Sequence, residues 1–107
     1  MMNIFDIFIA EVSWESGGKR RPVLILEQMK SGITVFNITT QYENKSEYIR
    51  NKYFKINDWQ QAGLKNQSYI DTNDTVTLPP SSVDVEHPTG MLTEFDAEKL
   101  IEFLGNG

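Results

Sequence analysis

The chain has 107 residues, no cysteine, a single histidine and a formal net charge of −5. That length suits one domain and one core, expected to span residues 1–107. Without cysteine there is no disulfide, no thiolate nucleophile and no cysteine-based zinc or iron–sulfur site, and one histidine excludes a two-histidine acid–base pair within the chain. A pI near 4.8 argues against a general nucleic-acid coat, which needs clustered Lys and Arg. The charge is unevenly spread, however: residues 1–55 carry +2 and residues 56–107 carry −7. The first half can therefore present a positive surface of its own. The longest apolar runs, 7–10 and 23–26, fall far short of the roughly 20 residues that cross a bilayer. Asp6 interrupts the N-terminal apolar stretch, which has no basic region before it, so a signal peptide is not expected and the cytoplasm is the expected compartment.

Residues 4–12 are rich in β-branched and aromatic side chains and predict a strand. Residues 13–20 contain Gly17-Gly18 and read as a loop. Pro22 opens a continuous apolar run through Leu26, short enough for a strand buried on both faces, with the proline placed at an edge. Ser31-Gly32 makes a tight turn, and residues 33–40 return as the second strand of an antiparallel hairpin. A polar loop at 41–47 precedes an imperfectly alternating strand at 48–56. Residues 57–64 predict one or two helical turns, with Asn57 as cap and Gly63 as terminator. Two short strands, 68–70 and 75–78, flank a polar turn. The pair Asp71 and Asp74 in that turn reads as solvated rather than metal-binding. The last element is a helix with Thr93 as N-cap, Asp96 in a capping-box position, an apolar stripe of Phe95, Leu100, Ile101 and Leu104, and Gly105 as its stop. These elements predict a mainly β (α+β) fold, a small antiparallel barrel or partly open sheet with a short internal helix and a C-terminal helix.

The sequence has no phosphate-binding glycine loop, no dinucleotide fingerprint and no metalloprotease or nucleophile-elbow motif. No cofactor and no metal is expected. His87 reads as a surface residue and Trp59 as core, whereas Trp14, in the glycine loop, is placed to stack on a base. The most specific feature is residues 17–26, where Lys19, Arg20 and Arg21 follow two glycines and lead into Pro22 and the buried run. Arginine keeps its charge, and its planar fork matches phosphate oxygens. Anchoring Arg21 against proline and a rigid strand pre-organises it, as transition-state stabilisation requires.

With Asp6-Ile7-Phe8, the Arg21-Pro22-apolar run, Ile38-Thr39-Thr40-Gln41, residues 59–71 and the closing Leu92-Thr93 helix, nearly the whole chain resembles the MazF/PemK toxins of type II toxin–antitoxin modules, particularly the PemK-like branch. The resemblance implies an SH3-like β-barrel, usually a homodimer, that cuts single-stranded RNA at short sequences without a metal. The RNA's own 2′-hydroxyl is the nucleophile, and the products carry a 2′,3′-cyclic phosphate and a 5′-hydroxyl. It assigns catalysis to Arg21 and Thr39. Substrate contacts fall to Trp14, Gly17, Gly18, Lys19, Arg20, Thr40, Gln41 and Ser68. It also implies a cognate antitoxin whose flexible acidic segment competes with mRNA for the cationic groove. Two departures stand out. The family's glycine before the opening aspartate is Phe5 here, and the family's Gln-apolar-Arg/Lys motif is replaced by residues 71–77, which lack a cation. The alternative is a non-catalytic SH3-like interaction module of the same fold.

Overall fold

The computed structural model describes residues 2–14 and 17–105. In chain order its elements are β1 (Asp6–Trp14), β2 (Gly17–Met29), β3 (Gly32–Thr39), a one-turn helix α1 (Glu47–Arg50), β4 (Tyr53–Lys55), β5 (Tyr69–Leu78), a 3-10 turn (Pro80–Ser82), β6 (Gly90–Met91) and α2 (Glu94–Gly105). The six strands form one sheet in the order β4-β5-β3-β2-β1-β6, with every pairing antiparallel. The fold is mainly β with two helices, as the strand-rich sequence predicts. Among the described residues no helix is long and apolar enough to cross a membrane.

Side chains alternate across a strand, and here both faces of the central strands are covered. Ile7, Leu24, Phe36, Ile38, Phe54 and Ile70 form one core with Ile56, Ala62, Leu92 and Leu100. Phe8, Ala10, Val23, Ile25, Ile33 and Val35 form a second with Leu78 and Val83. This double burial is why residues 23–26 read as an unbroken apolar run. Each fully buried branched side chain stabilises the fold by about 1.5–3 kcal/mol.

Several expectations are corrected. Residues 13–20 are largely strand rather than loop, because β1 and β2 stay paired out to Trp14↔Gly17. Pro22 lies within a central strand, not at an edge, opposite Ile9. The proline is accommodated because the β2–β3 pairing begins only at Val23↔Asn37, just past the missing N–H. The strand expected over 48–56 shrinks to β4, since Ser46 Oγ accepts the Ile49 N–H and nucleates α1 instead. The two strands expected at 68–70 and 75–78 are one strand, β5. Its register on β3 jumps from Asn37↔Asp71 to Val35↔Val76, so residues 72–75 bulge from the ladder.

Residues 57–64 make turns rather than a regular helix, with a single helical hydrogen bond from the Ala62 N–H to Asp58 O at 3.0 Å. Asn57 is tied to the C-terminal helix, its backbone N–H and its Nδ2 both donating to Asp96 Oδ1 at 3.1 Å. Gly63 does close the segment. Its φ of +90° favours glycine, and a Cβ there would stand 2.1 Å from Thr89 O. Trp59 packs against the first core, as expected.

Thr93 begins α2, accepting the Asp96 N–H at 3.3 Å. Asp96 does not complete a capping box. Its carboxylate is fully buried and accepts from Asn57 and from the Asp58 N–H, while the Thr93 hydroxyl donates to Asp58 Oδ2. This anchor fixes the rotation of the helix and splits the expected stripe. Leu100 is buried, whereas Phe95, Ile101 and Leu104 are exposed. Phe5 adopts φ +70°, the left-handed region that favours glycine. Its N–H donates to Ile25 O and its carbonyl accepts the Leu92 N–H, so the strained position is held from both sides. The glycine of the resembled family at this position thus has a backbone explanation.

Candidate active site

The site lies where the second core runs out. Val23 and Asn37 face each other across β2 and β3. Continuing that register by two residues sets Arg21 opposite Thr39 on the same face of the sheet. Here Lys19, Arg20, Arg21 and Pro22 of β2 meet Ile38, Thr39, Thr40 and Gln41 at the end of β3, with Ser68 beside them. Together they line an open groove of about 230 Å³. Among the described residues none of the lining side chains is acidic, and three of them are cations in a chain whose net charge is −5.

Each lining group has a distinct hydrogen-bonding state. Thr39 Oγ1 accepts the Gln41 N–H at 3.0 Å, which leaves the threonine's own O–H free to donate into the groove. Gln41 Oε1 accepts from Asn44 Nδ2, so the Gln41 amide nitrogen faces outward as a donor. Ser68 is buried and its hydroxyl donates to Asn66 O at 2.9 Å. It closes a turn and can offer a substrate only an acceptor. Arg20 is exposed and reaches Asp84 at 3.7 Å, a carboxylate that also holds His87 Nδ1 at 3.0 Å. That contact with His87, reinforced by Arg20, holds the Asp84 carboxyl below its ordinary value. His87 is largely exposed, as expected of a surface residue.

Arg21, Thr39, Lys19, Arg20, Thr40, Gln41 and Ser68 are therefore brought together. Gly18 is not among the described lining residues; Gly17 and Gly18 form the last rungs of the β1–β2 ladder, opposite Trp14 and Ser13. The Trp14 side chain lies outside the described residues.

The open face carries more than the sequence motifs reveal. The register places Asn37, Tyr69, Asp71, Tyr53 and Lys55 on the same face as Thr39, through the pairs Thr39↔Tyr69, Asn37↔Asp71, Tyr53↔Asp71 and Lys55↔Tyr69. Tyr42 stacks on Tyr69 with ring centroids 4.3 Å apart, and Arg50 stands 5.4 Å from the Tyr42 ring. This stack braces the segment that follows Thr39. Burial pushes the Tyr53 phenol above its ordinary pKa, and the nearby Asp71 charge adds to that shift, while Arg21 opposes it. Tyr53 therefore faces the site as a neutral O–H donor. Asn37 Oδ1 is shielded from solvent and receives no hydrogen bond from the described residues. These positions carry no motif, and only strand register gathers them.

A barrel-like, six-stranded antiparallel sheet whose central strands end in a cationic groove defines a small mainly-β fold class. Among solved structures this fold is similar to the Mycobacterium tuberculosis toxin MazF-mt6, with a TM-score of 0.66 at 24% identity over 92% of this chain and 93% of that one. The chain thus shares the fold of MazF-mt6. No protein-family profile matches the sequence, and no curated protein matches it either.

Proposed function

We propose that this chain is the toxin of a type II toxin–antitoxin module, a metal-independent endoribonuclease acting on single-stranded RNA. One observation carries the reading: Lys19, Arg20 and Arg21 line a single groove with Thr39 and no acidic side chain among the described lining residues. In-line attack by the 2′-oxygen forms the 2′-O–P bond and breaks the P–O5′ bond. The products are a 2′,3′-cyclic phosphate and a 5′-hydroxyl. Charge builds on the non-bridging oxygens during attack. Arg21, held in a half-buried strand position, neutralises that charge. Thr39, its lone pair engaged by Gln41 N–H, donates its hydroxyl hydrogen to it. Fixed donors of this kind need no reorganisation as the reaction proceeds.

The partners follow from the same groove. Single-stranded mRNA enters as substrate, and an antitoxin with a flexible acidic segment displaces it. The expected assembly is a homodimer in the cytoplasm. Only a local patch is cationic, so RNA binding is weak and falls steeply with salt.

The test is incubation of the purified chain with a long single-stranded RNA in EDTA, followed by mapping of the ends. Discrete cuts bearing cyclic-phosphate ends support the reading. Intact RNA, together with normal growth on expression, assigns the chain instead as a non-catalytic interaction module.

A further inference from the structure

The first core also runs out at this end of the sheet, on the face opposite the cationic groove. Ile7 pairs with Leu24, and both are buried in that core. Two residues further along the same ladder Ile9 pairs with Pro22, and both are only half-buried. Side chains two residues apart share a face of the sheet, so Ile9 and Pro22 carry the apolar surface past the point where the core covers it. Leu64, which packs against the same core, closes another side. The result is an open pocket of about 400 Å³ with an apolar floor. That volume falls within the roughly 300–1,000 Å³ of sites that take small organic ligands.

Backbone contacts fix the walls of the pocket. A Cβ on Gly63 would stand 2.1 Å from Thr89 O, and one on Gly90 would stand 2.1 Å from Ala62 O, so the two segments lie directly against each other. The Leu64 N–H donates to Trp59 O and the Thr89 N–H to Ile7 O, each at 3.0 Å. The rim, by contrast, is polar and unused. The side chains of Thr40, Lys65, Asn66 and Thr89 have no hydrogen-bond or ion-pair partner among the described residues. Lys65 and Lys99 are the two cations after residue 55, and Lys99 stands 3.7 Å from Glu102. Lys65 is thus the cation of the acidic half left for a ligand among the described residues.

Pro22, Thr40 and Ser68 line this pocket and the cationic groove alike, so the two cavities are continuous around the ends of β2 and β3. We infer that the pocket holds one nucleobase of the bound RNA, belonging to a nucleotide beside the phosphate held in the groove. Single-stranded RNA is read through bases splayed out of the stack. The ring of Pro22 offers such a base an apolar face with no N–H to desolvate, and Ile9 and Leu64 flank it. The Asn66 amide supplies both a donor and an acceptor for the base edge. Lys65, at the outer rim, meets the phosphate of the next nucleotide. The groove therefore holds the reacting phosphate, while the pocket selects which nucleotide stands beside it.

This inference rests on the ribonuclease reading, and the experiment separates their failures. The RNA is a short strand spanning one mapped cut, with a 2′-deoxyribose at the cut nucleotide so that it binds without reacting. Each position in turn is made abasic, and binding is measured for the parent, Leu64→Trp and Asn66→Ala. For the parent, base removal at one position beside the cut should weaken binding roughly tenfold or more, the loss expected of one stacked base. Leu64→Trp fills the pocket. It should weaken binding of the intact strand by a similar factor and leave binding of the strand abasic at that position unchanged. Asn66 is exposed, so Asn66→Ala should keep the parent's melting temperature while flattening its preference among the four bases at that position alone. Lys65→Ala should lower the salt slope of binding by about one, whatever the sequence. A parent that makes no cut defeats the ribonuclease reading itself. A cutting parent that tolerates an abasic site at every position beside the cut overturns only the pocket's role. So does an Asn66→Ala chain that keeps the full base preference. A Leu64→Trp chain that melts like the parent and still depends on that base overturns it too, and gives the pocket to another occupant such as a side chain of a protein partner. Were Leu64→Trp to melt early, the abasic series and Asn66→Ala would decide.

Discussion

The two ends of the β2–β3 pair share a backbone, a register and a sheet face, yet they do opposite work. At one end Val23, Ile25, Ile33 and Val35 meet Leu78 and Val83 and are closed off from water. At the other, Arg21, Asn37 and Thr39 occupy the same alternating positions with no lid of that kind, and the face opens into the groove. Two residues along one strand separate a side chain that holds the fold from one proposed to act on RNA. Cover, rather than strand geometry, decides the role.

The largest expected effect is at the open end. Arg21→Ala should lower single-turnover RNA cleavage by roughly 10²–10³-fold, about 2.7–4 kcal/mol of transition-state stabilisation, and leave the urea midpoint nearly unchanged. A large loss of stability with intact cleavage would break the comparison. Val35→Ala, at the closed end, should do the reverse, costing about 2 kcal/mol in urea unfolding with cleavage per folded molecule preserved. Gly63→Ala should cost a similar ~2 kcal/mol, because Cβ is strained at φ +90° and collides with Thr89 O. Thermal melting reports it directly. Thr39→Val removes one donor and keeps the shape, so a roughly tenfold fall in rate is expected, about 1.4 kcal/mol, with little change in melting temperature. The smallest effect is optical. The raised Tyr53 pKa means that the folded state holds that proton more tightly than the unfolded chain. Its contribution to stability is therefore complete below the ordinary tyrosine value and is lost as pH rises through the folded value. In an ultraviolet titration one of the four tyrosines should ionise after the others.

The strands that pack on both faces are the most legible in the sequence, since a run such as 23–26 leaves few alternatives to a buried strand. Residues 19–21 are legible for a different reason: three consecutive cations are unusual beside a core, and the fold brings them together with Thr39, Thr40 and Gln41. The 57–64 segment has a helical pattern, but its first N–H groups are held by Asp96, 38–39 residues away, which no local pattern reveals. Pro22 is deceptive in the same fashion, since its missing donor matters only relative to where β3 stops pairing. Asp71 has the local character of a solvated turn. Nothing near it in the sequence shows that the bulge after it returns to Ile49 O, or that Tyr53 and Asn37 stand on either side.

The buried Asp96 anchor has a consequence for the order in which the molecule is made. The segment leading to Ser68 at the groove wall is pinned at its start by a carboxylate near the C-terminus. A chain emerging from the ribosome holds β1 to β5 well before it holds residue 96. Until that residue appears, the Asn57 and Asp58 donors must turn to water, and Leu100 is absent from the first core. The groove wall therefore sets last, once synthesis is nearly complete.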